Sequence, residues 1–179
     1  PVNELASYES RAHFVAIGNF NHPPNLDSFR LLIHELWPKL KKRFTQINGT
    51  SPELHLYGAY EHSQLRERIT STSIKMCGRA KDAVQTLSHY RINLAPLRFG
   101  AGVKGKVADG WAAGTPCVGT SIAAEGMTVN GLFGGAIADD PDQFIEAAFH
   151  LYTSKEDWLT AQQHGRNILH AQFSERALG

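Results

Sequence analysis

The residues best suited to chemistry lie in one loop, Arg98-Phe99-Gly100-Ala101-Gly102-Val103-Lys104-Gly105-Lys106. Its glycines allow a tight turn and a close approach of the backbone to a ligand. A helix expected from about Lys106 to Ala113 opens at the end of the loop. Its first N–H groups have no partner within the helix and point into the same crevice. Arg98, Lys104 and Lys106 add positive charge. Free amides, a helix dipole and ammonium groups together make a site for a diphosphate, where each charge-assisted hydrogen bond is worth about 1.5–3 kcal/mol. A solvated basic turn that needs glycine only for its geometry is the plainer alternative. Gly100, Gly102 and Gly105 also fit G-x-G-x-x-G, with Glu125 roughly 20 residues beyond. That dinucleotide fingerprint belongs in the first strand–helix turn of its fold. Here it follows the fourth expected strand, and the first turn, Gly18-Asn19-Phe20-Asn21-His22-Pro23-Pro24, has a single glycine. A dehydrogenase is therefore a poor fit.

The elements that must position this loop alternate regularly. His13 to Ile17 is an apolar run stopped by Gly18 and reads as a buried strand. Leu54–Tyr57, Ile74–Cys77, Ile92–Leu97, Thr115–Thr120 and Ala136–Ala138 read as five more. After the first strand, Pro23-Pro24 bars helix until Asn25, a good N-cap. Phe29, Leu32, Ile33, Leu36 and Leu40 then recur at helical spacing, with a kink expected at Pro38. Lys39, Lys41, Lys42 and Arg43 suit the negative end of that helix. Further helices are expected over Ser63–Ile69, Ala83–Tyr90, from Pro141 with Asp139 or Asp140 as cap, over residues 155–170, and from Ser174 onward. Gly114 closes the helix after the glycine loop. The fold class is α/β, a parallel sheet with helices on both faces. Ligands bind such sheets beyond the carboxyl ends of the strands.

Composition narrows the function. The chain has 179 residues, a size for one domain, and a net charge of +1, which does not point to nucleic acid. No stretch approaches the ~20 apolar residues of a membrane span. Residues 1–12 are polar, without a signal-peptide pattern, and are expected to form a linker or frayed start. The absent initiator methionine suggests a processed chain or a fragment. Cys77 and Cys117 each sit in an apolar run and read as two buried free thiols in a reducing setting. The nine histidines are scattered, with no cluster at metal-ligand spacing.

From residue 13 to 176 the chain resembles the C-terminal domain of group 1 (family 4-like) glycosyltransferases of GT-B architecture. The landmarks fall in order: Gly18-Asn19-Phe20, Pro23-Pro24-Asn25, Trp37-Pro38, Leu54-His55-Leu56-Tyr57-Gly58, Gly78-Arg79, the block from Ala95 to Lys106, Ala113-Gly114-Thr115-Pro116-Cys117-Val118, Thr120 to Gly126, Asp139-Asp140-Pro141 and Phe173-Ser174. The resemblance implies a Rossmann-like domain at residues 13–173 that binds a UDP- or GDP-linked sugar for transfer. The acceptor would lie on a separate N-terminal domain, and residues 174–179 would begin a crossover helix toward it. It implies that no metal or other cofactor is required, since amides and basic side chains neutralise the diphosphate. It also implies a retaining outcome.

The resemblance carries roles residue by residue. Asp109 falls on the second acidic position of the family's paired-glutamate motif and would accept hydrogen bonds from the ribose hydroxyls; a solvated first-turn Asp is the alternative. Lys104 or Lys106 would meet the diphosphate, with Arg98, Gly100 and Gly102 beside it. Arg79 would lie at the nucleobase, Gly18 and Asn19 would face the interdomain cleft, and Glu125 would shape the sugar end or cap a turn. No catalytic residue is named. Two departures stand out. The family's first acidic position falls near Ala101, which has no carboxylate. The first loop has Asn19 and Pro24 in place of an Arg and Lys pair. A non-catalytic sugar-nucleotide-binding module and a sugar-nucleotide epimerase of the same architecture therefore stay as alternatives. Alone, the domain is expected to be inactive. It is expected in the cytoplasm, free or peripheral to a membrane.

Overall fold

A computed structural model describes residues 6–47 and 51–178, with side chains as far as Gln172. Six strands form one wholly parallel sheet: β1 (Phe14–Ile17), β2 (Leu54–Tyr57), β3 (Ile74–Met76), β4 (Ile92–Ala95), β5 (Cys117–Gly119) and β6 (Gly135–Ile137), in spatial order β3-β2-β1-β4-β5-β6. Register is tight at the centre, where Phe14 pairs with both Leu54 and Ile92. The central strands β1, β4 and β5 are buried on both faces, as parallel sheets require, while the edge strands β3 and β6 are partly exposed. Phe14, Ala16, Leu54, Leu56, Ile92 and Leu94 point to one core beneath α1 (Pro23–Leu31), α2 (Trp37–Thr45) and α6 (Pro141–Thr153). Val15, Ala95 and Cys117 point to the other face, covered by α4 (Ala83–Leu87), α5 (Gly105–Ala112) and α7 (Lys155–Leu178). The short α3 (Ser63–Glu67) joins β2 to β3. No helix among the described residues is long and apolar enough to cross a membrane.

Several expectations need correction. The first helix opens at Pro23 rather than after the prolines, because positions N1 and N2 need no intrahelical N–H. His22 is at the N-cap, and Asn25 is buried within the helix. Pro38 does not produce a simple kink. A π turn over Leu32–Leu36 precedes it, with the Trp37 N–H reaching back to the Leu32 carbonyl, and joins α1 to α2. The expected Ala83–Tyr90 helix stops at Leu87. The last two expected helices are one continuous α7, since Ala171-Gln172-Phe173 holds no breaker. Its side chains past Gln172, and Gly179, lie outside the described residues. Both cysteines are free, but Cys77 is exposed and only Cys117 is buried.

The expected linker is also different. Residues 1–5 lie outside the described residues, but Ala6 to Ala12 is anchored. Arg11 is fully buried, donating to Ala6, Tyr90 and Ala113 carbonyls and to Thr115 Oγ1. Tyr8 donates to the Tyr152 carbonyl at 2.8 Å.

Next to it, His13 adopts φ +72°, a strained conformation for a non-glycine residue. Three contacts hold it at the amino edge of the sheet. Its N–H donates to Tyr152 Oη (3.0 Å), its carbonyl accepts from the Arg91 N–H (3.1 Å), and its Nδ1 accepts from the Glu53 N–H (2.8 Å). Two of the scattered histidines thus meet, for ligand atoms of His13, Glu53 and His55 lie within 4.8 Å of one another. Because Nδ1 of His13 accepts an amide proton, its neutral ring carries the proton on Nε2, which leaves no lone pair there for a metal. The trio is a hydrogen-bonded clamp.

Burial, then the neighbouring His55, holds the His13 pKa below its ordinary 6.5, with Glu53 opposing and Arg91 reinforcing the shift. The unfolded chain therefore binds the extra proton first, and stability is lost as pH falls below about 6.5. Glu53, whose pKa is lowered by its bond to His55, adds a loss in the same direction at lower pH. Melting temperature should fall from pH 7.5 to 5. His13→Asn, which tolerates the left-handed backbone and keeps an acceptor, should flatten that slope. An unchanged slope would show that the acid sensitivity arises elsewhere.

Candidate functional site

Strand order reverses between β1 and β4, and a crevice opens there beyond their carboxyl ends. Gly18 follows β1, and its amide donates to the Tyr57 carbonyl. A side chain at Gly18 would collide with the Asn25 carboxamide, 2.6 Å from the nearest atom. Asn25 therefore fills the space beside the first loop. Its Nδ2 donates to the Asn19 carbonyl (3.2 Å), and its Oδ1 accepts from the ammonium of Lys106, carried on α5. Across the crevice, the loop after β4 turns through Gly100 (φ +113°) and Gly102 (φ +88°), backbone that side-chain-bearing residues rarely adopt. Lys104 folds back onto the loop, donating to the carbonyls of Gly100 (3.3 Å) and Gly102. Between the first loop and this one lies a cavity of about 260 Å³, with His22, Asn25, Gly100, Lys104 and Lys106 in its wall.

Lys106 is the electrostatic centre of this cavity. The residue is half-buried, and its ammonium donates inward to a neutral amide oxygen. Desolvation is the main cause that brings its pKa down to about 8, from an ordinary 10.5; the Cys117 thiol opposes and Lys104 adds to the fall. The first amides of α5, at Gly105 and Lys106, have no intrahelical acceptor. Below the helix, the fully buried Asn93 donates to the Lys106 carbonyl while its own Oδ1 has no partner.

The other expected site residues are distributed unevenly. Arg98 does not face the cavity. Its guanidinium forms a two-pronged pair with Asp27 of α1, at 2.9 and 2.5 Å, and each holds the other charged. Asp109 lies in the second turn of α5 rather than the first. It is half-buried, and no hydrogen bond or ion pair is found for its carboxylate among the described residues. Desolvation, then Asp82 at the start of α4, raises its pKa. Arg79 is exposed on the neighbouring loop after Gly78. Glu125 is exposed on the turn after β5, and that turn touches the glycine loop where Gly126 meets Val103. Gly18, Asn19, Gly100, Lys104 and Lys106 are thus gathered around one crevice, with Asp109 and Arg79 on the α4 side. Asn25 and His22 are the residues that sequence reading missed. Asn25 looked like a helix cap, and nothing local signals a contact with Lys106.

A six-stranded parallel sheet in this order, with its crevice at the switch point, defines a Rossmann-like domain of the GT-B type. Residues 11–154 match the family described as glycosyl transferases group 1, and the chain belongs to that family. Among solved structures, a TarM variant from S. aureus in complex with fondaparinux, α-GlcNAc-glycerol and UDP aligns at a TM-score of 0.76 and 11% identity, over 99% of this chain and 35% of that one. HepE from Anabaena, in complex with UDP and glucose, aligns at 0.68 and 11%, over 96% of this chain and 49% of that one. WaaG, a glycosyltransferase involved in lipopolysaccharide biosynthesis, aligns at 0.64 and 15%, over 94% and 44%. The chain thus spans less than half the length of each. No curated protein matches it.

Proposed function

We propose that this domain binds the nucleotide-diphosphate sugar donor of a glycosyl transfer, with the diphosphate in the crevice between β1 and β4. One observation carries the reading: among the described residues the inward-drawn ammonium of Lys106 is matched only by a neutral carboxamide beside the open N-terminus of α5. Such a cation is costly without an anion, and an arriving diphosphate supplies one. The unpartnered Asp109 carboxylate suits the ribose hydroxyls, and the loop bearing Arg79 suits the base. That HepE was solved with UDP and glucose supports this choice of ligand. The chemistry is then electrostatic. Amides and ammonium groups, rather than a resident metal, stabilise the departing nucleotide as the sugar–oxygen bond breaks, with retention. An acceptor-binding half supplies the second face of the cleft, and α7 leads toward it. The free thiols suit the cytoplasm.

Ala101 favours a second reading, a non-catalytic sugar-nucleotide module, because no carboxylate stands at the family's first acidic position. Calorimetric titration of this chain with UDP, GDP and NAD tests the donor site. UDP or GDP is expected to bind and to raise the melting temperature, with NAD silent, since only a bound ligand raises apparent stability. Binding of NAD alone would overturn the proposal. Donor hydrolysis or transfer by the full-length protein separates an enzyme from a silent module.

A further inference from the structure

The first turn of α1 touches both loops of the crevice. Pro24 faces the glycine loop, where a side chain at Gly100 would come within 3.1 Å of its ring. Asn25, the next residue, is 7% exposed. Its carboxamide has two different partners: Nδ2 donates to the Asn19 carbonyl at 3.2 Å, and Oδ1 accepts from the Lys106 ammonium. Those partners fix the orientation of the amide, because an ammonium only donates and a carbonyl only accepts. A flipped amide would lose both bonds.

Asn25 is braced from behind. The Asn19 carbonyl also accepts from the His22 amide (3.2 Å), and the Phe20 amide donates to the Ala59 carbonyl just beyond β2 (3.0 Å). Gly18 closes the other side, with no room for a side chain between its backbone and the carboxamide. The place asks for an amide. A carboxylate would accept from Lys106 but neutralise it, and could not donate to Asn19. An aliphatic group of the same size would leave the ammonium without an acceptor. The other ionisable groups around Lys106 are Lys104, the Cys117 thiol and, in the cavity wall, His22. Burial pushes the Cys117 thiol up to about 12, so it stays neutral. No carboxylate lines the cavity among the described residues.

We propose that Asn25 is a positioning residue of the donor site: it aims the Lys106 ammonium into the cavity and leaves the whole charge for an arriving diphosphate. This rests on the donor reading, since the diphosphate is what uses that charge.

The test is a double-mutant cycle of Asn25→Leu and Lys106→Met, read as UDP affinity by calorimetry from about pH 7 to 9.5. Asn25→Leu keeps the volume and removes both hydrogen bonds. It is expected to weaken UDP binding about fivefold at neutral pH. In the Lys106→Met background the same change should alter affinity by less than about twofold, because no ammonium is left to aim. Released from its acceptor, the ammonium returns to water. UDP binding by Asn25→Leu should therefore decline at a higher pH than in the unaltered chain. Asn25→Asp keeps the shape and serves if leucine impairs folding. Its carboxylate should compete with the diphosphate, weakening UDP about tenfold and also moving the decline upward. An equal loss in both backgrounds would show that Asn25 only shapes the first loop, and would overturn the proposal. So would a pH decline that stays in place in both variants. Failure of the unaltered chain to bind UDP would instead remove the donor reading, and this inference with it, so the two failures are distinct.

Discussion

Replacing Lys106 by methionine is expected to cut UDP affinity at least tenfold while raising the melting temperature. The two effects share one cause. Methionine keeps the stem and removes the ammonium that sits on Asn25. A charge-assisted hydrogen bond to the diphosphate is worth about 1.5–3 kcal/mol, or at least a factor of ten. Without ligand, that ammonium is a liability, because burial depresses its pKa to about 8 against an ordinary 10.5. The unfolded chain holds the proton more tightly, so burying the charge opposes folding below pH 8, and stability recovers as pH rises from 8 toward 10.5. The same titration predicts that UDP binding by the unaltered chain weakens above pH 8, while Lys106→Met shows no such decline. Calorimetry across pH 7–9.5 and thermal melts check both. Equal UDP affinity in the two proteins would remove Lys106 from the site.

The second large effect is expected at the opposite edge of the sheet. Arg11→Ala should destabilise the domain by about 3–5 kcal/mol, because it strips donors from several buried acceptors and leaves a void. Its guanidinium reaches Thr115 Oγ1 and the Ala113 carbonyl at 2.7 Å each and the Tyr90 carbonyl at 3.3 Å, and it lies 5.5 Å from the Trp158 ring centre. It thereby joins the chain entering β1 to the ends of the α4 and α5 connections. No carboxylate pairs with it among the described residues, and desolvation lowers its pKa to about 10. The donors must therefore outweigh the burial. Arg11→Met, which restores volume but no donors, should lie between. Denaturant melts giving a loss under about 1 kcal/mol for Arg11→Ala would show that the anchor is dispensable.

Arg11 also shows where sequence reading ends. The strands were legible because parallel strands buried on both faces read as short apolar runs closed by glycine, and Leu54–Tyr57 was bounded correctly. A cap at Asp139 or Asp140 and the Gly114 terminus were legible because their chemistry is local: of the two, Asp140 accepts from the Gln143 amide, and Gly114 takes φ +75°. Burial of an arginine in a polar opening segment has no local signature, since all its partners but the Ala6 carbonyl lie about 80–105 residues away. The same holds for Arg98, whose charge looked free until the fold brought Asp27 to it. Lys106 and Asn25 met only because α1 and α5 flank the switch point. The glycine loop was visible as a place, while the assignment of its cations to ligand or to protein was a tertiary matter.

The buried Arg11 and the clamp of His13, Glu53 and His55 hold the amino edge of the sheet, and the proposed donor crevice occupies the carboxyl edge. Integrity and recognition are thus assigned to opposite rims, separated by strands of three or four residues. Segments such as 18–22, 96–104 and 120–126 are therefore the natural places for grafting. Donor preference should be interchangeable between homologous domains by transplanting these tips, with the far rim kept intact as the scaffold.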